Sequence, residues 1–214
     1  MRSLLPPTDN LWEAAPDPWA RPDELSTGLA FARRSPRSPA TVRIMPEDAK
    51  RTLILMRHAK SAYPPGVDDH QRPLNLRGTR QATQAGTWLQ DNFNRIDAVL
   101  CSTATRTRAT LTQTGVHSQL VRFSDKLYDS TVGITLGEIN AVPDSATTVL
   151  VVGHEPTTSQ LALALANTGT SNAEAANRIS TKFPTSAIAV LTTRSPWSRL
   201  ELAGGSLTKF HVPR

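Results

Sequence analysis

Cysteine, aromatic residues and long apolar runs are all scarce in this sequence. One cysteine, Cys101, occurs among 214 residues, which excludes an internal disulfide framework. It sits in the apolar stretch DAVLCS, and we interpret it as a packed side chain rather than a nucleophile. No apolar run approaches the roughly 20 residues that a membrane-spanning helix needs, and the N-terminus lacks the features of a secretory signal. We therefore expect a cytoplasmic protein with no membrane association.

Two further absences restrict the kind of ligand site. Aromatic residues make up only 5% of the chain. After residue 50 the tryptophans are Trp88 and Trp197, and both lie in core-like patterns rather than in the interleaved aromatic pattern of single-stranded nucleic-acid surfaces. No GxxxxGK stretch is present, which excludes a Walker-type nucleotide site. The sequence thus disfavours nucleic acid as a partner.

Proline, by contrast, is abundant and concentrated near the N-terminus. Eight of the sixteen prolines lie in the first 50 residues, in a stretch without sustained periodicity. Such a segment buries too little apolar surface to offset its ordering entropy. We interpret residues 1–49 as a partly disordered tail or linker and residues 50–214 as one domain. Trp12 or Trp19 of the tail could dock on the domain.

The positive charge belongs to the predicted domain. Residues 1–50 contain seven basic and seven acidic residues, whereas residues 51–214 contain 17 basic and 11 acidic ones. A basic domain suits an anionic partner, which could be nucleic acid, an acidic protein or a phosphorylated substrate. The charge balance alone does not choose among them.

Beyond residue 50, strand and helix patterns alternate. TLILM (52–56) is an apolar run of strand length, and residues 76–93 place apolar side chains at helical spacing. Residues 146–153 are rich in β-branched residues and give the strongest strand pattern. Further strands are predicted at 96–102, 117–123, 186–193 and near 198–205, and further helices at 105–115, 131–140 and 156–167. This alternation predicts an α/β fold with a largely parallel sheet.

Three predicted strands end beside residues that are suited to phosphate. The first ends at Arg57 and His58, the second at Ser102 shortly before Arg106, and the strand near residue 150 at His154. Ligands bind outside the carboxyl ends of strands in open parallel sheets. Arginine forks match phosphate oxygens, and a neutral imidazole is a competent nucleophile when its other nitrogen is held by a hydrogen bond. The spacing predicts a phosphate site at this edge.

Each of these residues also has a simpler interpretation. A lone arginine can pair with a carboxylate at a helix end, and His154 alone could be a core histidine. Lys60 fits a solvated loop. The remaining arginines near these motifs are interpreted as surface charges, some of which could attract an acidic substrate; they are Arg72, Arg77, Arg80 and Arg108.

A metal site is the main chemical alternative. Asp68, Asp69 and His70, together with the two histidines at strand ends, supply ligand types found in metal-assisted hydrolases. Adjacent residues in a proline-flanked loop, however, do not form the i, i+4 pair of a helix-borne site, and the neighbouring arginines would repel a cation. We therefore predict no metal and no cofactor.

Three segments in order resemble the histidine phosphatase superfamily, which includes phosphoglycerate mutases and SixA-type phosphohistidine phosphatases. They are RHAKS (57–61), CSTATRTRAT (101–110) and VVGHEPT (151–157). Residues 68–78 and 183–191 are similar to segments of the SixA-type branch, so that the resemblance spans about residues 52–193. It implies a phosphoglycerate mutase-like, three-layer αβα sandwich without a large cap insertion.

The resemblance also implies roles for individual residues. His58 would be the nucleophile, phosphorylated during turnover, and Arg57, Arg106 and His154 would hold the phosphoryl oxygens. Ser61, in the same motif, is a further candidate for substrate binding. We expect a phosphatase that acts without a metal.

The prediction of the substrate depends on the general acid, which the three motifs do not identify. Many relatives supply a carboxylic acid after the third strand; here Asp129 and Glu138 are available, but neither lies in a matching pattern. An alkoxide leaving group benefits from such an acid, whereas an imidazole is a far weaker base. We therefore expect phosphohistidine in a protein as the substrate. A small phosphorylated metabolite, with Asp129 or Glu138 as acid, and a non-catalytic phosphate or nucleic-acid binding module remain the alternatives.

Overall fold

The structure is a computed structural model that describes residues 49–213. The predicted tail, with Trp12 and Trp19, lies outside these residues except for Ala49. The strands are β1 (Arg51–Arg57), β2 (Ala98–Ser102), β3 (Leu120–Ser124), β4 (Thr148–Gly153), β5 (Ile188–Thr193) and β6 (Ser206–His211). The helices are α1 (Leu76–Asn92), α2 (Thr105–Thr114), α3 (Val132–Asn140), α4 (Thr157–Leu165) and α5 (Ala173–Thr181), with short 3-10 turns at Asp69–Gln71, Asp125–Leu127 and Trp197–Arg199.

The six strands form one mixed sheet in the order β3-β2-β4-β1-β5-β6. The strands β3, β2, β4 and β1 pair in parallel, while β5 runs antiparallel to both β1 and β6. Strands in the centre of such a sheet are buried on both faces, which explains why their sequences are continuous apolar runs rather than alternating ones. The predicted α/β fold with a largely parallel sheet is confirmed.

The two faces of the sheet are covered by different helices. Leu53 and Leu55 of β1 pack into a cluster with residues of α3, α4 and α5, whereas Ile54 and Met56 pack on the other face with residues of α1 and α2. This alternation follows from the two-residue period of a strand. The result is a helix, sheet and helix layering. In the described part of the chain, no helix combines the length and the apolar composition needed to cross a bilayer.

Two predictions of secondary structure need correction. The last strand does not lie near 198–205: the chain there forms a 3-10 turn and loop, and the strand begins at Ser206, after Gly204 and Gly205 rather than before them. Of the leucines that suggested a strand, Leu200 is buried in the core cluster together with Trp197, whereas Leu202 is exposed. The sequence also gave no sign of α5, whose buried residues are Ala175 and Ile179 alone.

Helices α1 and α2 approach each other closely at Gly86. A Cβ atom built at this position would lie 2.1 Å from the carbonyl oxygen of Thr114, a distance that requires the backbone of one helix to move. Glycine is therefore required by the packing, and not by a turn. Gly137 in α3 has no atom within 4 Å of the corresponding Cβ position, so the same change there meets no obstacle.

These two glycines give a matched pair of variants. We expect Gly86→Ala to lower the free energy of unfolding by about 1–3 kcal/mol, the usual cost of overpacking. Gly137→Ala should raise it by roughly 0.5–1 kcal/mol, because alanine restricts the unfolded chain and favours the helix. Urea denaturation would measure both. Equal effects of the two substitutions would contradict the close approach at Gly86.

Candidate active site

The structure places His58 at the end of β1 with one ring nitrogen occupied. Its Nδ1 lies 2.7 Å from the carbonyl oxygen of Ala59. Because a carbonyl oxygen can only accept, Nδ1 must carry the proton, and Nε2 keeps its lone pair. The Ala59 amide is itself held, since it donates to Oγ1 of Thr110 in α2 at 2.9 Å. The imidazole is thus fixed in the tautomer that a nucleophile attacking through Nε2 requires.

The surroundings of His58 keep its imidazole neutral. Burial, together with the positive charges of Arg106, Arg57 and Arg72, lowers the pKa of His58 to about 4, although the hydrogen bond to Ala59 acts in the opposite direction. A neutral ring at pH 7 has its Nε2 lone pair available. Burial, which keeps the ring neutral, and the hydrogen bond at Nδ1 therefore both leave the lone pair on Nε2 of His58.

Arg57 and Arg106 reach the site from different elements. Arg57, the last residue of β1, donates to the carbonyl oxygen of Phe183 at 2.7 Å, and among the described residues its buried Nε has no hydrogen-bond partner. Burial also lowers the pKa of the Arg57 guanidinium. Arg106 lies in the first turn of α2 and is 7% exposed. The positive charges of both guanidinium groups act on the His58 imidazole and lower its pKa.

Asp69 is the counter-ion of Arg106 and Arg72. Its carboxylate accepts from Arg106 at 2.9 Å and from the hydroxyl of Tyr128 at 2.8 Å, and it also accepts from Arg72. A further bond from Arg106 goes to the Asp69 backbone carbonyl. The hydrogen bond from Tyr128, followed by those from the two arginines, holds the pKa of Asp69 well below its usual range. A carboxylate that is ionised at neutral pH therefore contacts the arginine that was predicted to bind phosphate.

His154 lies beside His58 after the end of β4. The two ring centroids are 5.2 Å apart, and the ring of Tyr128 stands edge-on at 5.5 Å on another side. Nε2 of His154 lies 2.9 Å from Oγ of Ser102. Burial lowers the pKa of His154 to about 3, with additional effects of His58 and Arg106. The structure thus brings together the four residues His58, Arg57, Arg106 and His154.

The two candidate acids do not join this cluster by any hydrogen bond or ion pair described in residues 49–213. Glu138 in α3 is 8% exposed and pairs with Arg122 at 3.0 Å and with Lys126 at 3.3 Å. Asp129 is exposed, in a loop where its backbone has φ = 49°. The carboxylate that does contact the site arginines is Asp69, and its lowered pKa prevents it from supplying a proton at neutral pH.

Ser61 and Arg72 form an unexpected pair at the side of the site. Ser61 is buried, and its hydroxyl accepts from the guanidinium of Arg72. Arg72 also donates to the carbonyl of Ala62 at 3.0 Å and stacks on the ring of Tyr63, 3.4 Å from its centroid. The sequence suggested that Arg72 is a surface charge, but the structure shows that it contacts Ser61, Ala62 and Tyr63. Ser61 contacts Arg72 in this structure. The predicted contact of Ser61 with the substrate remains a prediction.

The roles of Asp69, Arg72 and Tyr128 in the site were not predicted from the sequence. Asp69 was considered only as a metal ligand with Asp68 and His70. In the structure, His70 instead lies 3.1 Å from the hydroxyl of Thr103, and across residues 49–213 no group of three or more His, Cys, Asp or Glu side chains is arranged to hold a metal ion. A usable signal was present, because an aspartate three residues before an arginine, beside the first motif, is a possible ion pair.

Sequence comparisons link the chain to a known family. The family model for "Histidine phosphatase superfamily (branch 1)" matches residues 53–142. Protein Rv1276c of Mycobacterium tuberculosis is 54% identical over 159 residues, which cover 74% of this chain and 100% of that protein. Protein ML1117 of Mycobacterium leprae is 52% identical over 163 residues, with the same coverage of both chains.

Solved structures give the same family. The "putative phosphohistidine phosphatase SixA" from Nakamurella multipartitia is 40% identical, with a TM-score of 0.71, and the match covers 77% of this chain and 97% of that one. A second "putative phosphohistidine phosphatase SixA", from Agrobacterium tumefaciens, is 28% identical with a TM-score of 0.63, covering 76% and 99% of the two chains. The predicted phosphoglycerate mutase-like fold is thereby confirmed.

The two buried histidines predict a specific dependence of stability on pH. Their folded-state pKa values are about 4 for His58 and about 3 for His154, against 6.5 for an ordinary imidazole. Between pH 6.5 and about 4 the unfolded chain therefore binds more protons than the folded one, and the free energy of unfolding should fall as the pH is lowered through this window. Above about pH 7.5, where the imidazoles of the unfolded chain are neutral as well, these two groups should contribute almost no slope.

Urea denaturation at several pH values between 7.5 and 4.5 would test this dependence. A His58→Gln, His154→Gln double variant should lose stability less steeply than the native chain on acidification. The exposed His117, changed to Gln, serves as control and should leave the slope unchanged. A double variant as steep as the native chain would contradict the assignment.

The position of Asp69 predicts a competition with phosphate. Asp69→Asn removes the negative charge that occupies Arg106 and Arg72, so the Kd of inorganic phosphate should fall by a few-fold, since a partly exposed ion pair contributes on the order of 1 kcal/mol or less. Asp68→Asn makes the same charge change at an exposed neighbour and should alter the Kd by less than about twofold. Calorimetric titration would measure both. Weaker phosphate binding in Asp69→Asn would mean that this carboxylate mainly holds the arginines in place.

Proposed function

The chain belongs to the histidine phosphatase superfamily and is a phosphatase, and from this premise we propose that it removes phosphate from phosphohistidine in a protein, through a covalent intermediate on His58. The observation that carries the proposal is the state of His58. Its Nδ1–H is held by the carbonyl of Ala59 at 2.7 Å, its pKa is lowered to about 4, and its Nε2 is left as a free lone pair.

The proposed reaction has two displacements at phosphorus. In the first, Nε2 of His58 forms a bond to phosphorus while the bond from phosphorus to the substrate imidazole breaks. The substrate ring, which carries a proton on its other nitrogen, takes the electron pair and leaves as neutral imidazole. In the second, a water oxygen bonds to phosphorus and the bond to His58 breaks, which returns the neutral imidazole and releases inorganic phosphate with the protons of the water. Arg57 and Arg106 stabilise the phosphoryl oxygens in both steps.

The state of the carboxylates supports phosphohistidine over a phosphate monoester. A monoester leaves as a strongly basic alkoxide and gains from a positioned acid, whereas an imidazole leaves as a weak base. Glu138 is committed to Arg122 and Lys126, and the pKa of Asp69 lies well below its usual range. Asp69 is therefore a poor proton donor and Glu138 is held by other cations, an arrangement that an imidazole leaving group tolerates.

Features beside the site support a protein as the substrate. Tyr63, under the Arg72 guanidinium, is 70% exposed, and Phe123, under Arg108 at 5.5 Å, is 40% exposed. Large side chains with so much exposed surface are suited to contact with a macromolecule. The two SixA structures with which the chain shares 40% and 28% identity carry the name of phosphohistidine phosphatases, which agrees with this choice.

The experiment compares two leaving groups in the same variants. Asp129→Asn and Glu138→Gln should each leave kcat for a phosphohistidine protein within about twofold of the native value, because an imidazole leaving group needs no proton from either carboxylate. The native enzyme should also turn over the phosphohistidine protein faster. Equal, large losses on both substrates, or a preference for the sugar phosphate, would favour the alternative of a small-metabolite phosphomonoesterase.

His58→Ala is the control for the chemistry itself. We expect no turnover of either substrate, since no other side chain replaces the covalent step. Rapid acid-free quenching of the native enzyme followed by mass spectrometry should find phosphate on His58. Turnover by His58→Ala would contradict the covalent route whatever the substrate.

A further inference from the structure

Ser102 is a fully buried polar side chain next to the site. It is the last residue of β2, and its Oγ has two neighbours, Nε2 of His154 at 2.9 Å and the backbone nitrogen of Ala104 at 3.3 Å. The amide of Ala104 can only donate, so Oγ accepts there. One hydroxyl proton remains to be placed.

The hydroxyl proton of Ser102 has one suitable acceptor among its neighbours, Nε2 of His154. If the hydroxyl donates to Nε2 of His154, the Ser102 proton and Nε2 are both paired, and Nδ1 of His154 is the one group of this pair of side chains left without a partner among the described residues. If instead Nε2–H donated to Oγ, the hydroxyl proton would be left without an acceptor in a position with no exposed surface, which costs about 1–3 kcal/mol. Within residues 49–213, Oγ of Ser102 has no third partner in the described hydrogen bonds. The bond therefore runs from Ser102 to Nε2, and the ring proton of His154 is on Nδ1.

Nδ1 of His154 has no protein partner. This atom is buried and forms no hydrogen bond to any described residue. A buried N–H without an acceptor is rare and costly, and here it belongs to a ring whose centroid lies 5.2 Å from that of the proposed nucleophile His58. A phosphoryl oxygen would supply the missing acceptor.

We propose that Ser102 is a positioning residue, which fixes His154 in the tautomer with the proton on Nδ1 so that this N–H donates to a phosphoryl oxygen of the substrate. The proposal rests on the proposed reaction at His58. It makes His154 a neutral donor toward the developing negative charge rather than a base that accepts a proton. The serine acts only through the histidine and does not touch the substrate.

Binding of phosphate requires a local rearrangement around His154. The Tyr128 ring stands edge-on to the His154 ring, and the Tyr128 hydroxyl is held by Asp69, which also occupies Arg106. A phosphoryl group that binds Arg106 takes the place of the Asp69 carboxylate and so frees Tyr128 to move. Inorganic phosphate should accordingly change the environment of His154 Nδ1.

Nitrogen NMR of the native protein tests the tautomer directly. With 15N-labelled histidine at pH 7, the proposal expects the His154 resonances, assigned by their loss in His154→Gln, to show a protonated Nδ1 and an unprotonated Nε2. Addition of inorganic phosphate should shift the Nδ1 signal. The opposite tautomer, or a Nδ1 signal that saturating phosphate does not shift, would overturn the proposal. The measurement requires no turnover, so it remains readable if the proposed reaction at His58 fails.

Kinetics of three serine variants separate positioning from a merely structural role. Ser102→Ala should lower kcat on the order of tenfold to a hundredfold, as for a donor to developing charge, with a smaller change in KM and with mixed His154 tautomers in the NMR spectrum. Ser102→Thr keeps the hydroxyl and should restore the single tautomer and most of kcat. Ser118→Ala removes a hydroxyl that bonds Asp97 at the other end of the sheet, and should leave kcat unchanged. Unchanged kcat and tautomer in Ser102→Ala would overturn the proposal.

Discussion

The parallel pairing of β1 with β4 is the constraint on which the site depends. Its register sets Arg57 opposite Gly153, and the chain continues the ladder by one bond, from the amide of His58 to the carbonyl of Gly153 at 3.0 Å. This bond places His58 next to His154, with ring centroids 5.2 Å apart. Because a slip by one residue would turn each side chain to the opposite face of the sheet, the apolar core of β1 and the position of the imidazole are fixed together.

Burial and positive charge act in the same direction at this edge. Removing the two imidazoles from water favours their neutral forms, and the nearby arginines oppose any gain of a proton. The arginines in turn are neutralised by the carboxylate of Asp69. The site therefore consists of neutral rings around a position that is attractive to negative charge, and under the proposed function a phosphoryl group takes the place of the Asp69 carboxylate there.

The carboxylates of Glu138 and Asp69 are both engaged in ion pairs. Glu138 balances Arg122 and Lys126 in the layer of α3, and Asp69 balances Arg72 and Arg106. The pKa of the Asp69 carboxyl is lowered by the hydrogen bond from Tyr128 and by the two arginines. Under the proposed function, this arrangement confines efficient catalysis to leaving groups that depart without early protonation, as imidazole does.

The sequence by itself determined the alternation of strands and helices, the parallel centre of the sheet and the strand ends that carry Arg57, His58, Arg106 and His154, because burial on both faces and strand termination are local properties of the chain. It did not determine α5 or the start of β6, where the apolar signal is weak. Only the tertiary structure decided the partners of the charged side chains. Asp69 meets Tyr128, 59 positions away along the chain, and such long-range contacts depend on how the elements pack, which no local pattern records.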